Sequence, residues 1–205
     1  MAELFPSLPE PPTMADVFKK FPHTFRPLVE YHDRLLRDYS PLTVGQRELI
    51  AAYVSGLNAC QFCYGAHNTV ARAFGIEDEI FTNLIDDVDR SAVDEAMKPI
   101  LRYVKKLTLS PTRMTAADAA AVYAAGWSEQ ALFDAVSVCA LFNFMNRIIE
   151  GTGLKPLPAG PEMQSQDSQM RSFMGGDDPA TLKDAHESKQ RYTALIDLWG
   201  IERES

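Results

Sequence analysis

Clustered positive charge is missing from this chain. Its 205 residues carry 20 Lys and Arg against 28 Asp and Glu, a net charge of −8, and no Lys/Arg-rich run interrupts that acidic balance. Nucleic acid and anionic membrane surfaces both demand clustered positive charge, so both are poor partners. No stretch approaches the roughly 20 apolar residues of a membrane span. The opening MAELFPSLPEPP has neither a basic start nor an apolar core. It does not read as a secretory signal, and the cytoplasm is the expected compartment. Cysteine is scarce, three in all. In a reducing compartment that argues against structural disulfides and for redox or metal chemistry. Runs of β-branched residues alternating with polar ones are missing as well, which points to an all-α fold.

What is present suffices for one well-buried core, with 46% apolar and 10% aromatic residues. Pro6, Pro9, Pro11 and Pro12 make residues 1–12 an extended N-terminal arm. A helical domain is expected over 13–155, and a linker with a C-terminal docking helix over 156–205. Helices are expected at about 14–21, capped by Thr13, and at 24–38. A capping-box pattern at Thr43–Gln46 opens a helix over about 44–58, and Gly75 ends another over about 61–74. Shorter helices follow at 77–86 and at 93–108, the second bent near Pro99. Thr115 caps a helix to Ala125, and Ser128 starts a long, mostly apolar and therefore central helix to about Glu150. Residues 151–178, rich in Gly, Pro, Ser and Gln, read as linker. A last helix over 179–199 carries Leu182, Leu195, Leu198 and Trp199, expected to dock on the body or on another subunit.

One segment, RELIAAYVSGLNACQFCYGAHNTVARAFG from Arg47 to Gly75, holds the chemistry. Glu48, Cys60, Cys63 and His67 form the pattern E-x11-C-x2-C-x3-H. Two sulfurs at this spacing can close a disulfide. The thiolate is the reactive form, so the site also needs something to lower a cysteine pKa. Cys60 falls at the start of its helix and Cys63 within the first turn, where unpaired amide N–H groups stabilise an anion. His67, one turn after Cys63, shares a face with it. Cys60 has Tyr64 in the equivalent place. Cys63 is therefore expected to be the nucleophile and Cys60 the resolving thiol. Attack on a peroxide O–O bond would make a sulfenic acid on Cys63, and Cys60 would condense with it. Glu48 lies on a helix face otherwise made of Ala51, Ala52 and Ser55, too small and uncharged for a solvated surface. A second element is expected to pack there, placing Glu48 in an interior seam, to orient His67 or to accept the thiol proton through a water.

This motif, with the RELI before it, resembles the AhpD-like alkylhydroperoxidases of the carboxymuconolactone decarboxylase superfamily. FPHTFRPLVEYHDRLL and LFNFMNRIIEGTG, with Asn143, Asn146 and Arg147, are similar to its peroxidase-related branch. The likeness spans roughly 20–155. It implies an AhpD-like multi-helix bundle assembled as a homo-oligomer, a trimer or hexamer. It also implies a hydroperoxide substrate, no cofactor, and a lipoamide-type dithiol or partner protein as reductant of a Cys60–Cys63 disulfide. By the same likeness Glu48 and His67 are the proton-relay pair and Cys63 the peroxide-reactive cysteine. The chain departs from AhpD proteins at Phe62, where they carry a histidine, so one member of the relay is missing.

Other readings of these residues are weaker. Zinc almost always takes four ligands, and only Cys60, Cys63 and His67 lie in local reach, with no second C-x-x-C or H-x3–5-H. A thioredoxin-like domain needs βαβ patterning that is absent. Cys139, inside VSVCALF, reads as a small buried hydrophobe. His23, His32 and His186 have no neighbouring ligands and read as surface residues. Arg147 is a candidate to pair with a carboxylate in the core or at a subunit seam. Two function classes stay open: a dithiol peroxidase in antioxidant defence, or a non-catalytic thiol switch or disulfide-exchange adaptor. Decarboxylase chemistry is a third, and it has no use for a resolving thiol.

Overall fold

A computed structural model describes residues 4–156 and 182–201; among these the chain holds eight α-helices and no strand. They are α1 (Met14–Lys20), α2 (Phe25–Leu36), α3 (Val44–Leu57), α4 (Gln61–Ala73), α5 (Met97–Leu109), α6 (Ala116–Ala124), α7 (Glu129–Gly151) and α8 (Ala194–Trp199). Capping boxes start α1 at Thr13 with Asp16, α3 at Thr43 with Gln46 and α6 at Thr115 with Asp118. Left-handed glycines follow α4 at Gly75 and α6 at Gly126. In each case a local side-chain or glycine signal decides the boundary.

The bundle is organised around α3. Only Gln46, Gly56 and Leu57 of its fourteen residues are not buried. α4 packs back along it, and α7 and α5 cover its other sides. The small-residue face is the reason α4 approaches so closely. Gly45 meets the end of α4 where an added Cβ would stand 2.8 Å from the Phe74 carbonyl oxygen. α7 is long and apolar enough, by length and composition alone, to cross a membrane, contrary to the sequence expectation. Here 56% of its most apolar window is buried in the bundle.

Three expectations are corrected. Residues 77–86 hold only a short 3₁₀ turn, Asp78–Phe81, closed off near Asn83 at φ +61°. α5 is not bent at Pro99. It begins at Met97, so the proline sits in the first turn, where its missing N–H costs nothing. Within the N-terminal arm, Leu8 turns back and packs with Val17, Ile149, Leu154 and both Cys60 and Cys63. Lastly, the helix expected over 179–199 is broken: Leu182 and α8 are helical and 183–193 are irregular, while 157–181, most of the expected linker and the start of that helix, lie outside the described residues. Polar groups of 183–193 bond the body instead of their own helix. Ala185 O accepts from Val44 N, Ser188 N donates to Arg37 O, and His186 O accepts from Arg47. Tyr192, Leu195 and Ile196 join the main core and Trp199 stacks on Phe25 (5.5 Å), whereas Leu198 is exposed.

Candidate functional site

The α3–α4 break sets the cysteines. Asn58 caps α3, Ala59 takes a left-handed φ of +56°, and Cys60 is the N-cap of α4 with Cys63 in its first turn. A non-glycine residue there is strained and needs its surroundings to hold it. α7 supplies the hold. Asn58 Nδ2 donates to Asn143 Oδ1 (3.1 Å) and Asn146 Oδ1 (2.9 Å), and Asn146 Nδ2 donates to Ser55 Oγ (3.0 Å). Asn146 also hydrogen-bonds the Cys63 sulfur and so favours its thiolate.

All three cysteines are free thiols. Cys60 and Cys63 share a side-chain hydrogen bond. That bond draws the Cys60 thiol below its usual range, against its burial. The same bond, then burial, pushes Cys63 far up. Glu150, at the exposed end of α7, hydrogen-bonds Cys60 from the other side. Loss of a proton is thus eased at Cys60 and opposed at Cys63. Access runs the other way. Cys63 and His67 both line a cavity of about 510 Å³, and Cys60 does not. Phe18, Phe25, Phe142, Met145 and Trp199 make its walls apolar, and Pro11 and Pro12 of the N-terminal arm close one side.

Glu48 is fully buried, as its small-residue face implies. Its Oε2 meets His67 Nδ1 at 2.6 Å across the α3–α4 seam. Its Oε1 accepts from Arg37 Nη1 (2.6 Å) and from the Tyr192 hydroxyl (2.9 Å). Burial would raise the Glu48 carboxyl, but the Arg37 charge, His67 and the hydrogen bonds from both outweigh it and hold it at about 2. An ionised Glu48 fixes His67 as the Nδ1–H tautomer and leaves Nε2 for proton transfer. Arg37, itself fully buried, lies between the rings of Phe74 (5.2 Å) and Tyr192 (4.7 Å). The core carboxylate is therefore paired by Arg37 and not by Arg147, which is exposed and bonds the Asn143 carbonyl one turn back.

His32 corrects a second expectation. It is buried, donates from Nδ1 to Leu28 O (2.8 Å) and lines the cavity; His186 is half-buried on Ser40 O, and His23 is exposed. The signal was in the sequence, since His32 continues the α2 stripe of Phe25, Val29 and Leu36. Arg37 and Tyr192 had no such signal. Burial holds the His32 imidazole down to about 4. A histidine depressed on folding stabilises above its unfolded pKa, and that stability is lost as pH falls through 6.5 towards 4. Glu48 adds a second loss between its unfolded 4.5 and about 2. Each is worth on the order of 3 kcal/mol. Urea unfolding should therefore weaken from pH 7 to pH 4, and His32→Gln should flatten that slope.

Cys139 bonds Thr108 Oγ1 (3.3 Å) away from this site, buried as expected. Among the described residues, no group of three or more His, Cys, Asp or Glu side chains is placed to hold a metal ion.

No family model matches the sequence, and no curated protein matches it. Solved structures do. An uncharacterized peroxidase-related protein from Ralstonia eutropha JMP134, described as an alkylhydroperoxidase AhpD core, is 23% identical with a TM-score of 0.66, covering 72% of this chain and 76% of its own. An uncharacterized peroxidase-related protein from Silicibacter sp. TM1040 is 20% identical with a TM-score of 0.62, covering 80% of this chain and 92% of its own. At these identities the likeness establishes architecture: the chain has the all-α fold of the AhpD core.

Proposed function

We propose that the chain is an AhpD-like dithiol peroxidase that reduces organic hydroperoxides through Cys63 and Cys60. The observation that carries this reading is that Cys63 and the Glu48-bound His67 line one apolar cavity while Cys60 lies behind, in contact with Cys63. His67 Nε2 takes one proton from the coupled pair and leaves a single S–H shared between the two sulfurs. Its transfer to Cys60 makes Cys63 the thiolate. The Cys63 sulfur then attacks the distal peroxide oxygen, the O–O bond breaks, and the alkoxide leaves as the alcohol with a proton from His67. Cys60 next attacks the Cys63 sulfenic sulfur. An S–S bond forms, the S–O bond breaks, and the hydroxyl leaves with the Cys60 proton as water. An external dithiol supplies two electrons and two protons to reopen the disulfide.

Phe62 replaces the histidine that AhpD proteins carry before the second cysteine, so the relay runs on Glu48 and His67 alone. The same fold is shared by two solved proteins described as peroxidase-related. Phe133 and Phe144, exposed on α7, offer apolar surface to the homo-oligomer that the resemblance implies. A non-catalytic switch would use the same cysteines, and turnover separates the two. With cumene hydroperoxide and dihydrolipoamide, glutathione or thioredoxin in turn, peroxide consumption should continue far beyond one equivalent with at least one reductant. A single equivalent consumed with every reductant, leaving an oxidised Cys60–Cys63 pair by intact mass, would assign the switch.

A further inference from the structure

We propose that Tyr192, carried in by the C-terminal segment, is a positioning residue that keeps Glu48 aimed at His67. The inference rests on the peroxidase reading only for its kinetic consequence. Tyr192 is 144 positions from Glu48 in sequence, yet its hydroxyl donates to Oε1 at 2.9 Å, the same oxygen that takes Arg37 Nη1 at 2.6 Å. Two donors on Oε1 leave Oε2 to His67. Arginine prefers to grip a carboxylate by both oxygens with its fork of N–H groups. A two-pronged grip on Glu48 would compete with His67 Nδ1 for Oε2. Tyr192 opposes that grip in two ways. Its hydroxyl occupies Oε1 beside Arg37, and its ring lies 4.7 Å from the Arg37 guanidinium carbon, against one face of the group.

The segment is built to hold the tyrosine still. Asp33 on α2 accepts from Tyr192 N (2.5 Å), Thr193 N (3.2 Å) and Thr193 Oγ1 (2.7 Å). Arg191 pairs with Asp38, and Arg47 clasps His186 O (2.7 Å) together with Leu35 O and Asp38 O. The ring faces His32 at 5.3 Å and lines the cavity beside Leu195 and Trp199. A purely structural tyrosine would need neither this anchoring at Asp33 nor an acceptor already shared with a buried arginine.

The test is Tyr192→Phe, which keeps the ring and removes the hydroxyl that donates to Glu48 Oε1 and accepts from Arg37 Nη2 (3.4 Å). In protein labelled with ¹⁵N-histidine, the His67 Nδ1–H resonance, assigned by its loss in His67→Gln, should lie far downfield in the wild type. In Tyr192→Phe it should move upfield or broaden into exchange with water. Iodoacetamide alkylation of Cys63, followed by intact mass, should slow roughly tenfold, the scale of one hydrogen bond to a charged group. Asp33→Asn, which loosens the anchor and keeps the hydroxyl, should shift the same resonance in the same direction by less, and it serves if the first variant does not fold. An unchanged His67 resonance and alkylation rate, with only a lower melting temperature, would overturn the proposal. Neither readout uses peroxide, so a wild type without peroxide turnover would reject the proposed function and leave this inference standing.

Discussion

Cys63→Ser should abolish the reaction with organic hydroperoxide, while Cys60→Ser should still form a sulfenic acid, now long-lived, on Cys63. The two thiols differ little in burial, but only Cys63 lines the cavity. Peroxide must touch the attacking sulfur, so access outranks the hydrogen bond that lowers the Cys60 thiol. A proton crosses one S–H···S contact far more readily than a bulky hydroperoxide reaches a sulfur behind the wall. Trapping the sulfenic acid with dimedone and reading the adduct by peptide mass checks this. A Cys63 adduct in Cys60→Ser and none in Cys63→Ser is the expected result. A Cys60 adduct in Cys63→Ser would mean that the proton position decides and that the two roles are exchanged.

The second large effect is on stability. Glu48→Ala leaves the Arg37 guanidinium fully buried with its carboxylate gone. It also strips the Tyr192 hydroxyl and His67 Nδ1 of their acceptor. Breaking a buried ion pair from one side costs about 3–5 kcal/mol, because the remaining charge has no solvent to return to. Such a loss is a large share of the roughly 5–15 kcal/mol that holds a domain folded. Urea unfolding of Glu48→Ala should show it. The double variant Glu48→Ala with Arg37→Met should recover much of it, since the stranded charge is then removed too. A Glu48→Ala protein within about 1 kcal/mol of wild type would show that Arg37 finds another partner or water.

The helices and the cysteine centre were legible because local rules set them. Thr43 with Gln46, Thr13 with Asp16 and Gly75 each mark a boundary by their own chemistry. The Ala51, Ala52 and Ser55 face told that Glu48 lies in a seam, and the i+4 spacing put His67 with Cys63. Where sequence reasoning failed, the deciding contacts were distant. Arg37 follows the last residue of α2 and looks like an exposed helix end until Tyr192 and Phe74 close on it. Residues 183–193 have a helix-compatible composition, but Val44, Arg37 and Arg47 bind their backbone groups. The N-terminal prolines mark an arm but not its resting place, which Leu8 sets over the cysteines.

The role of the Glu48–His67 pair is read in the rate at which organic hydroperoxide oxidises Cys63 in Glu48→Gln, set beside the wild type. Glutamine keeps the shape and can still bond Arg37, but it removes the charge that fixes the His67 tautomer. A fall of about a hundredfold is expected, with disulfide formation by a strong oxidant such as diamide still complete. Wild-type peroxide kinetics in Glu48→Gln would contradict it.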